Sequence, residues 1–400
     1  MSFLHDPDTP APIGTVTLAN WMESPHNRVS FQRVGDLIPS VRLAGSGSAA
    51  SPWPGTATTG EDASELDPRL RARTREILDA TWTDAFVVAR SGRILHEEYR
   101  SGMTPSTRHL CMSVSKSVAG TVAGLVIGEG GLGPSTPVTE VVPEFAGTGL
   151  AGATLRHVLD MRTGTREEID TIELQRAYYA TALWAPPPVP DDPDRDTDTR
   201  QHFWRLRQER DHGTEFAYRS TLTCVLSLIL ERATGRAYPE LLSDFWTSLG
   251  TADDAEMTVD GAGFALADIG LSCTLRDLTR LGEVMRRGGV DPTGRRVVPE
   301  SWVDDIVTPD PDSHDAFVAH GMPYLDLPTA YYRNQWWVAR PRRSGRDGAY
   351  FALGIHGQML YVDEAADLVV TKFSSAPEPW DDALVRLTYA LCADLADGLS

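Results

Sequence analysis

The run Cys111-Met112-Ser113-Val114-Ser115-Lys116-Ser117-Val118-Ala119-Gly120 decides how the rest of the chain is read. Within it, Ser113 and Lys116 spell S-x-x-K at the mouth of an apolar segment whose small and branched residues continue through Val126. Helical positions three apart lie on one face, a turn from each other, so this spacing sets a hydroxyl beside an amine. Such a pair can make a nucleophile, because a neutral amine is a base for the serine proton. Ser115 and Ser117 lack a lysine one turn ahead, which leaves Ser113 as the candidate.

Only two of the 37 basic residues are lysines, Lys116 and Lys372. Arginine stays charged at any ordinary pH, whereas a buried lysine can lose its proton. Chance survival in an arginine-biased chain would explain the same fact, so Lys116 carries meaning only together with its neighbours.

At 400 residues the chain exceeds what one hydrophobic core usually fills, and two subdomains are expected. A hydrophobic fraction of 41% is ample for both. The net charge of −19 would repel phosphates, which argues against a nucleic-acid partner and fits solubility. Cys111, Cys224, Cys273 and Cys392 lie far apart without a C-x-x-C pair and read as reduced core residues. The start Met1-Ser2-Phe3-Leu4-His5 has neither a basic cluster nor a following apolar core, and no stretch of eighteen apolar residues follows, so a cytoplasmic protein without a membrane role is expected.

Residues 1–65 read as an N-terminal extension and linker. A helix is expected over 66–80, then a hairpin in which Ser91-Gly92 turns the run 85–89 back onto 94–99. The helix opened by Ser113 ends at Gly128-Glu129-Gly130-Gly131-Leu132-Gly133. That run spells G-x-G-x-x-G, but it closes a helix instead of following a strand, so it reads as a C-cap and no dinucleotide cofactor is expected. Residues 165–215 are proline-rich, acidic and irregular. Helices follow over 222–233, 240–249 and 275–287, then strands over 331–339, 349–355, 358–363 and 368–374, and a closing helix over 381–395. The expected fold is α/β (α+β), with an antiparallel sheet flanked by helices, formed by 66–112 and 265–400, plus a mainly helical domain over 113–264.

No H-E-x-x-H, G-x-S-x-G or P-loop is present, and His314 and His320 beside Asp315 read as surface histidines, not as metal ligands. The ordered series is different. A hairpin, Ser113-x-x-Lys116, Thr154-Leu155-Arg156-His157-Val158-Leu159-Asp160-Met161, Tyr218-x-Ser220 and His356-Gly357 resembles the class C β-lactamase and penicillin-binding-protein superfamily. Pro25-His26-Asn27-Arg28, Ser272-Cys273-Thr274, Gln335-Trp336-Trp337 and Gly354-Ile355-His356-Gly357-Gln358 are most similar to the 6-aminohexanoate-dimer (nylon oligomer) hydrolases.

The resemblance implies a β-lactamase-like serine hydrolase, without cofactor or metal, in which Ser113 forms an acyl-enzyme, Lys116 takes its proton and Tyr218 shuttles protons to the leaving group. It implies an oxyanion hole from the backbone N–H of Ser113 and of Gln358, or of Gly357 beside it. Ser220, Trp336, Trp337, His356 and Gly357 would contact substrate, with glycine at 357 admitting the strand close to it. Ile355-His356-Gly357 stands where β-lactamases carry K-T-G, and Tyr218-x-Ser220 where they carry Y-x-N, so poor penicillin hydrolysis is expected. The tyrosine that assists amide cleavage in the nylon-type enzymes aligns with Thr165-Arg166-Glu167-Glu168, with Tyr178 and Tyr179 later; Glu167, Glu168 and Asp170 read as solvated acids, contact with a substrate ammonium being the alternative. Short linear amides or small esters are the expected substrates. A carboxylesterase or D-amino-acid peptidase, or a non-catalytic scaffold, are the alternatives, and a homodimer stays open.

Overall fold

The computed structural model describes residues 16–47, 64–166, 172–187, 195–319, 327, 329–342, 345 and 347–399. Eleven strands among them matter for the site. They are β1 (Ser40–Leu43), β2 (Thr83–Arg90), β3 (Arg93–Tyr99), β4 (Arg108–Leu110), β5 (Ala255–Thr258), β6 (Leu271–Thr274), β7 (Tyr331–Arg333), β8 (Trp336–Arg340), β9 (Ala349–Gly354), β10 (Gln358–Asp363) and β11 (Leu368–Ser374). Six helices accompany them: α1 (Pro68–Ala80), α2 (Val114–Gly128), α3 (Ser220–Thr234), α4 (Tyr238–Ser248), α5 (Leu275–Arg286) and α6 (Asp382–Leu399).

The main sheet has seven strands in the order β3-β2-β11-β10-β9-β8-β7, every neighbouring pair antiparallel. Both ends of the chain therefore meet in it. The hairpin β2-β3 turns at Ser91 and Gly92, with φ of 52° and 79°, the two left-handed residues that a tight hairpin turn needs. Helix α5 packs on β11, β10 and β2, and Gly282 lets it approach, since a Cβ there would come 2.6 Å from Val369. Helix α6 pairs with α1 and sets Tyr389 against Phe351 and Tyr361 of the sheet. Helices on an antiparallel sheet are thus the observed architecture, as expected.

A smaller antiparallel sheet, β1-β5-β6-β4, carries the chain into the nucleophile segment. Helix α2 is buried nearly all round and contacts α3, α4, β8, β9 and β10, so it is a core helix and not an amphipathic surface one. It ends at Gly128, and Gly130 and Gly131 follow at φ of 90° and 83°, which places the glycine run after a helix.

One expected strand is two. Residues 331–339 split into β7 and β8 because Asn334 and Gln335 adopt φ of 51° and 67° and reverse the chain between them. This turn is wedged onto α2: a Cβ at Gly120 would come 2.2 Å from the Asn334 carbonyl, and Ser117 Oγ donates to Gln335 O at 2.6 Å. Among the described residues no helix is long and apolar enough to cross a membrane.

Candidate active site

Strand β4 ends at Leu110, Cys111 N–H donates to Leu271 O at 2.8 Å, and the chain then bends sharply through Met112 at φ 50°. A left-handed conformation at a non-glycine residue costs about 1–2 kcal/mol, and burial of Met112 in the apolar cluster with Trp21, Phe31 and Trp184 holds it there. The bend delivers Ser113 to the N-cap of α2. Lys116 lies one turn on, and its Nζ sits 2.8 Å from Ser113 Oγ. Lys116 is 1% and Ser113 8% exposed, so the pair is almost wholly buried. The neighbouring serines are spoken for: Ser115 Oγ accepts from Leu271 N–H at 3.2 Å, and Ser117 Oγ bonds the Gln335 carbonyl.

Tyr218 comes to the same place from the segment leading into α3. Its neighbours are pinned, with Ala217 N–H on Met161 O at 2.9 Å and Arg219 N–H on Met161 Sδ at 3.4 Å. Lys116 Nζ stands 5.2 Å from the Tyr218 ring centroid. Trp337 packs on the outer side of that ring, centroids 5.2 Å apart at 31°, and Tyr332 meets it edge-on at 5.9 Å. Ser113 with Lys116, Tyr218 and Trp337 are therefore gathered from three separate stretches of chain.

Other expected contacts take different partners. Trp336 points to the opposite face of β8 from Trp337, fully buried and edge-on to Tyr350 at 5.4 Å, so it belongs to the core. His356 adopts φ 61°, with its Nδ1 2.7 Å from Ala376 O and its ring 5.1 Å from Phe31. Burial pushes its imidazole below the usual range. Gly357, at φ 95°, faces β11, where a Cβ would come 2.9 Å from Ser374 Oγ and 3.2 Å from Lys372 Nζ. Gly354 lets this strand approach the nucleophile segment, since a Cβ there would lie 2.7 Å from Cys111 O. Gln358 uses its side chain as a staple, donating to Ser374 O at 2.6 Å and accepting from Ser374 N–H at 3.0 Å. Glu167, Glu168, Asp170 and His320 lie outside the described residues, and His314 Nδ1 rests 2.8 Å from Ala330 O.

Asp268, which the sequence did not single out, and Cys224, expected only as a core residue, join this cluster. Asp268 is 1% exposed; its carbonyl accepts from Lys116 Nζ at 3.0 Å and its Oδ2 stands 3.9 Å from the same nitrogen. Cys224 of α3 donates its thiol to Asp268 Oδ1 at 3.2 Å, so this cysteine is more than core filling. Burial pushes the Asp268 carboxyl up, opposed chiefly by the Lys116 charge and then by the Cys224 and Ser220 side chains. The signal available was a lone acid inside the apolar run Ala265-Leu266-Ala267-Asp268-Ile269. Of the two later tyrosines, Tyr179 lies toward this cluster, its hydroxyl pushed up to about 12 by burial and the Asp268 charge, while Tyr178 packs on His202. Tyr179 also stacks on Trp184 and lines an apolar pocket of about 630 Å³ with Leu18, Trp21 and Met22.

A buried serine and lysine in contact at a helix start, with a tyrosine over the lysine and a helix-covered antiparallel sheet beside them, define a β-lactamase-like hydrolase. The β-lactamase family model matches residues 71–395, and the chain belongs to that family. It is 40% identical over 379 residues to the 6-aminohexanoate-dimer hydrolase of Paenarthrobacter ureafaciens, covering 92% of this chain and 90% of that one. Among solved structures, a Bacillus anthracis protein with a provisional 6-aminohexanoate-dimer hydrolase name superposes with a TM-score of 0.80 at 23% identity, over 97% of this chain and 98% of that one. A D-stereospecific amidohydrolase from Streptomyces shares the fold at a TM-score of 0.57 and 16% identity, over 78% and 96% of the two chains. The chain is a serine hydrolase of this family, of the amidase or esterase type.

Proposed function

We propose that the enzyme cleaves short linear amides of the 6-aminohexanoate-oligomer kind, or small esters, through an acyl-enzyme on Ser113. The observation that carries this reading is the 2.8 Å contact between Lys116 Nζ and Ser113 Oγ, both residues being buried. Lys116 as the amine takes the hydroxyl proton while Oγ bonds the substrate carbonyl carbon and the π pair moves to oxygen. Backbone N–H groups of Ser113 and of the 355–358 turn, Gln358 foremost, would receive that oxyanion; one such donor is worth about 3 kcal/mol of barrier. Tyr218, over the lysine, would pass the proton to the departing nitrogen or oxygen, and water would then release the acyl group by the reverse path. Trp337 supports the tyrosine and walls the acyl side.

The esterase reading is favoured by one feature. Where nylon-type enzymes place a tyrosine to assist amide cleavage, Thr165 and Arg166 here form a short strand with Arg207 and Gln208, and Arg166 pairs with Glu209 at 3.1 Å on the surface. A fluorophosphonate should label Ser113, with no labelling in S113A and slow labelling in K116A. Comparing the linear 6-aminohexanoate dimer, p-nitrophenyl butyrate and nitrocefin then fixes the class. Nitrocefin as the fastest substrate, or a folded protein that takes no label, would defeat the reading.

A further inference from the structure

We propose that the Asp268 carboxylate is the counter-charge of Lys116, stabilising the ammonium that forms when Lys116 takes the Ser113 proton, and that Cys224 holds this carboxylate in place. The inference rests on the hydrolase reading of Ser113 and Lys116. It makes Asp268 a positioning residue, acting on substrate only through the lysine.

The geometry is that of a closed pair. Lys116 and Asp268 are each 1% exposed, with Nζ 3.9 Å from Oδ2 and 3.0 Å from the Asp268 carbonyl. Facing the amine are Ser113 Oγ, the Tyr218 ring and Asp268; facing the carboxylate are Lys116, the Cys224 thiol, the Ser220 hydroxyl and Tyr179. Oδ1 is occupied by the thiol, whereas Oδ2 makes no hydrogen bond among the described residues and is the oxygen nearest the lysine. A buried carboxyl left in this state is costly unless a charge pairs with it.

The proton count shows when the pairing matters most. As Ser113 attacks, its proton moves to the Lys116 lone pair and its oxygen pair forms the bond to the carbonyl carbon. Lys116 then becomes an ammonium at a position only 1% exposed. A carboxylate a few ångströms away stabilises that new charge strongly at low dielectric. When the leaving group departs, the proton passes on through Tyr218 and Lys116 is neutral again. The same carboxylate attracts the ammonium form in the resting pair as well, with Nζ 3.9 Å from Oδ2. Removal of the carboxylate should therefore do two opposite things: slow the step at its plateau, and let the base form at lower pH. A residue with only a structural role would give the first without the second.

The experiment compares wild type, D268N and C224A by single-turnover acylation with p-nitrophenyl butyrate across the pH range, and by NMR with lysine labelled at ¹³Cε. With only two lysines the spectrum holds two signals, and K372M identifies the one from Lys116. In D268N the acid limb of the acylation rate and the Lys116 titration should both move to lower pH by about one unit, with a plateau about 10²-fold lower. C224A should move them the same way by less, because without the thiol bond to Oδ1 the carboxylate is free to turn away from Lys116. A folded D268N whose limb and Lys116 titration coincide with wild type overturns the proposal. Should D268N not fold, coincidence in C224A overturns it. The NMR titration needs no turnover, so loss of the hydrolase reading would show as absent acylation while the coupling is still read.

Discussion

Gly354, the last residue of β9, presses its Cα against the carbonyl of Cys111 so closely that a Cβ would come 2.7 Å from that oxygen. The contact sets the distance between the strand edge and the chain two residues before Ser113. The obstructing atom is backbone, so it cannot step aside as a side chain would. G354A should therefore displace the bend at Met112 and lower kcat by about 10²-fold, the scale of a 1 Å misplacement of a catalytic group. G398A, crowding a flexible Leu70 side chain on the far helix pair, is the control and should leave the rate nearly unchanged. Equal rates for wild type and G354A would remove Gly354 from any role in placing the nucleophile.

Tyr218 and Trp337 form a second testable pair. Y218F keeps the ring stack at 5.2 Å and removes only the hydroxyl, so kcat should fall by about 10²–10⁴-fold with little change in KM. W337L leaves the hydroxyl but frees the ring, and should cost less. In the double variant the effects should fail to add, because both act through one hydroxyl position. Full activity in Y218F would require another proton shuttle.

Lys372 gives a prediction about stability. It is wholly buried in β11, donates to Thr81 O at 3.1 Å and Gly357 O at 3.2 Å, and burial lowers its ammonium to about 7. An unfolded lysine titrates near 10.4. Between those values the unfolded chain binds the proton that the folded one refuses, so stability rises with pH across that window, and the full penalty is present below about 7. Relative to K372M, wild type should gain roughly 3 kcal/mol in urea unfolding between about pH 7 and 9.5. Parallel stability curves for the two proteins would show that Lys372 does not titrate in this window.

The part of this molecule written along the chain is what short-range geometry controls. The S-x-x-K spacing placed Ser113 and Lys116 on one helical turn, and Ser91-Gly92 made a hairpin, because the helix repeat and turn chemistry act over a few residues. Motif order brought Tyr218 into view. Tertiary structure decided the remainder. Which of Trp336 and Trp337 faces the site depends on which side of the sheet is covered. His356 and Gly357 took left-handed conformations and Gly357 packs on Ser374, while Gly354 makes the close approach to Cys111. Asp268 reached Lys116 across 152 residues only because β6 pairs with β4, the strand that leads into Ser113. No local pattern encodes such a pairing; the register between strands distant in sequence does.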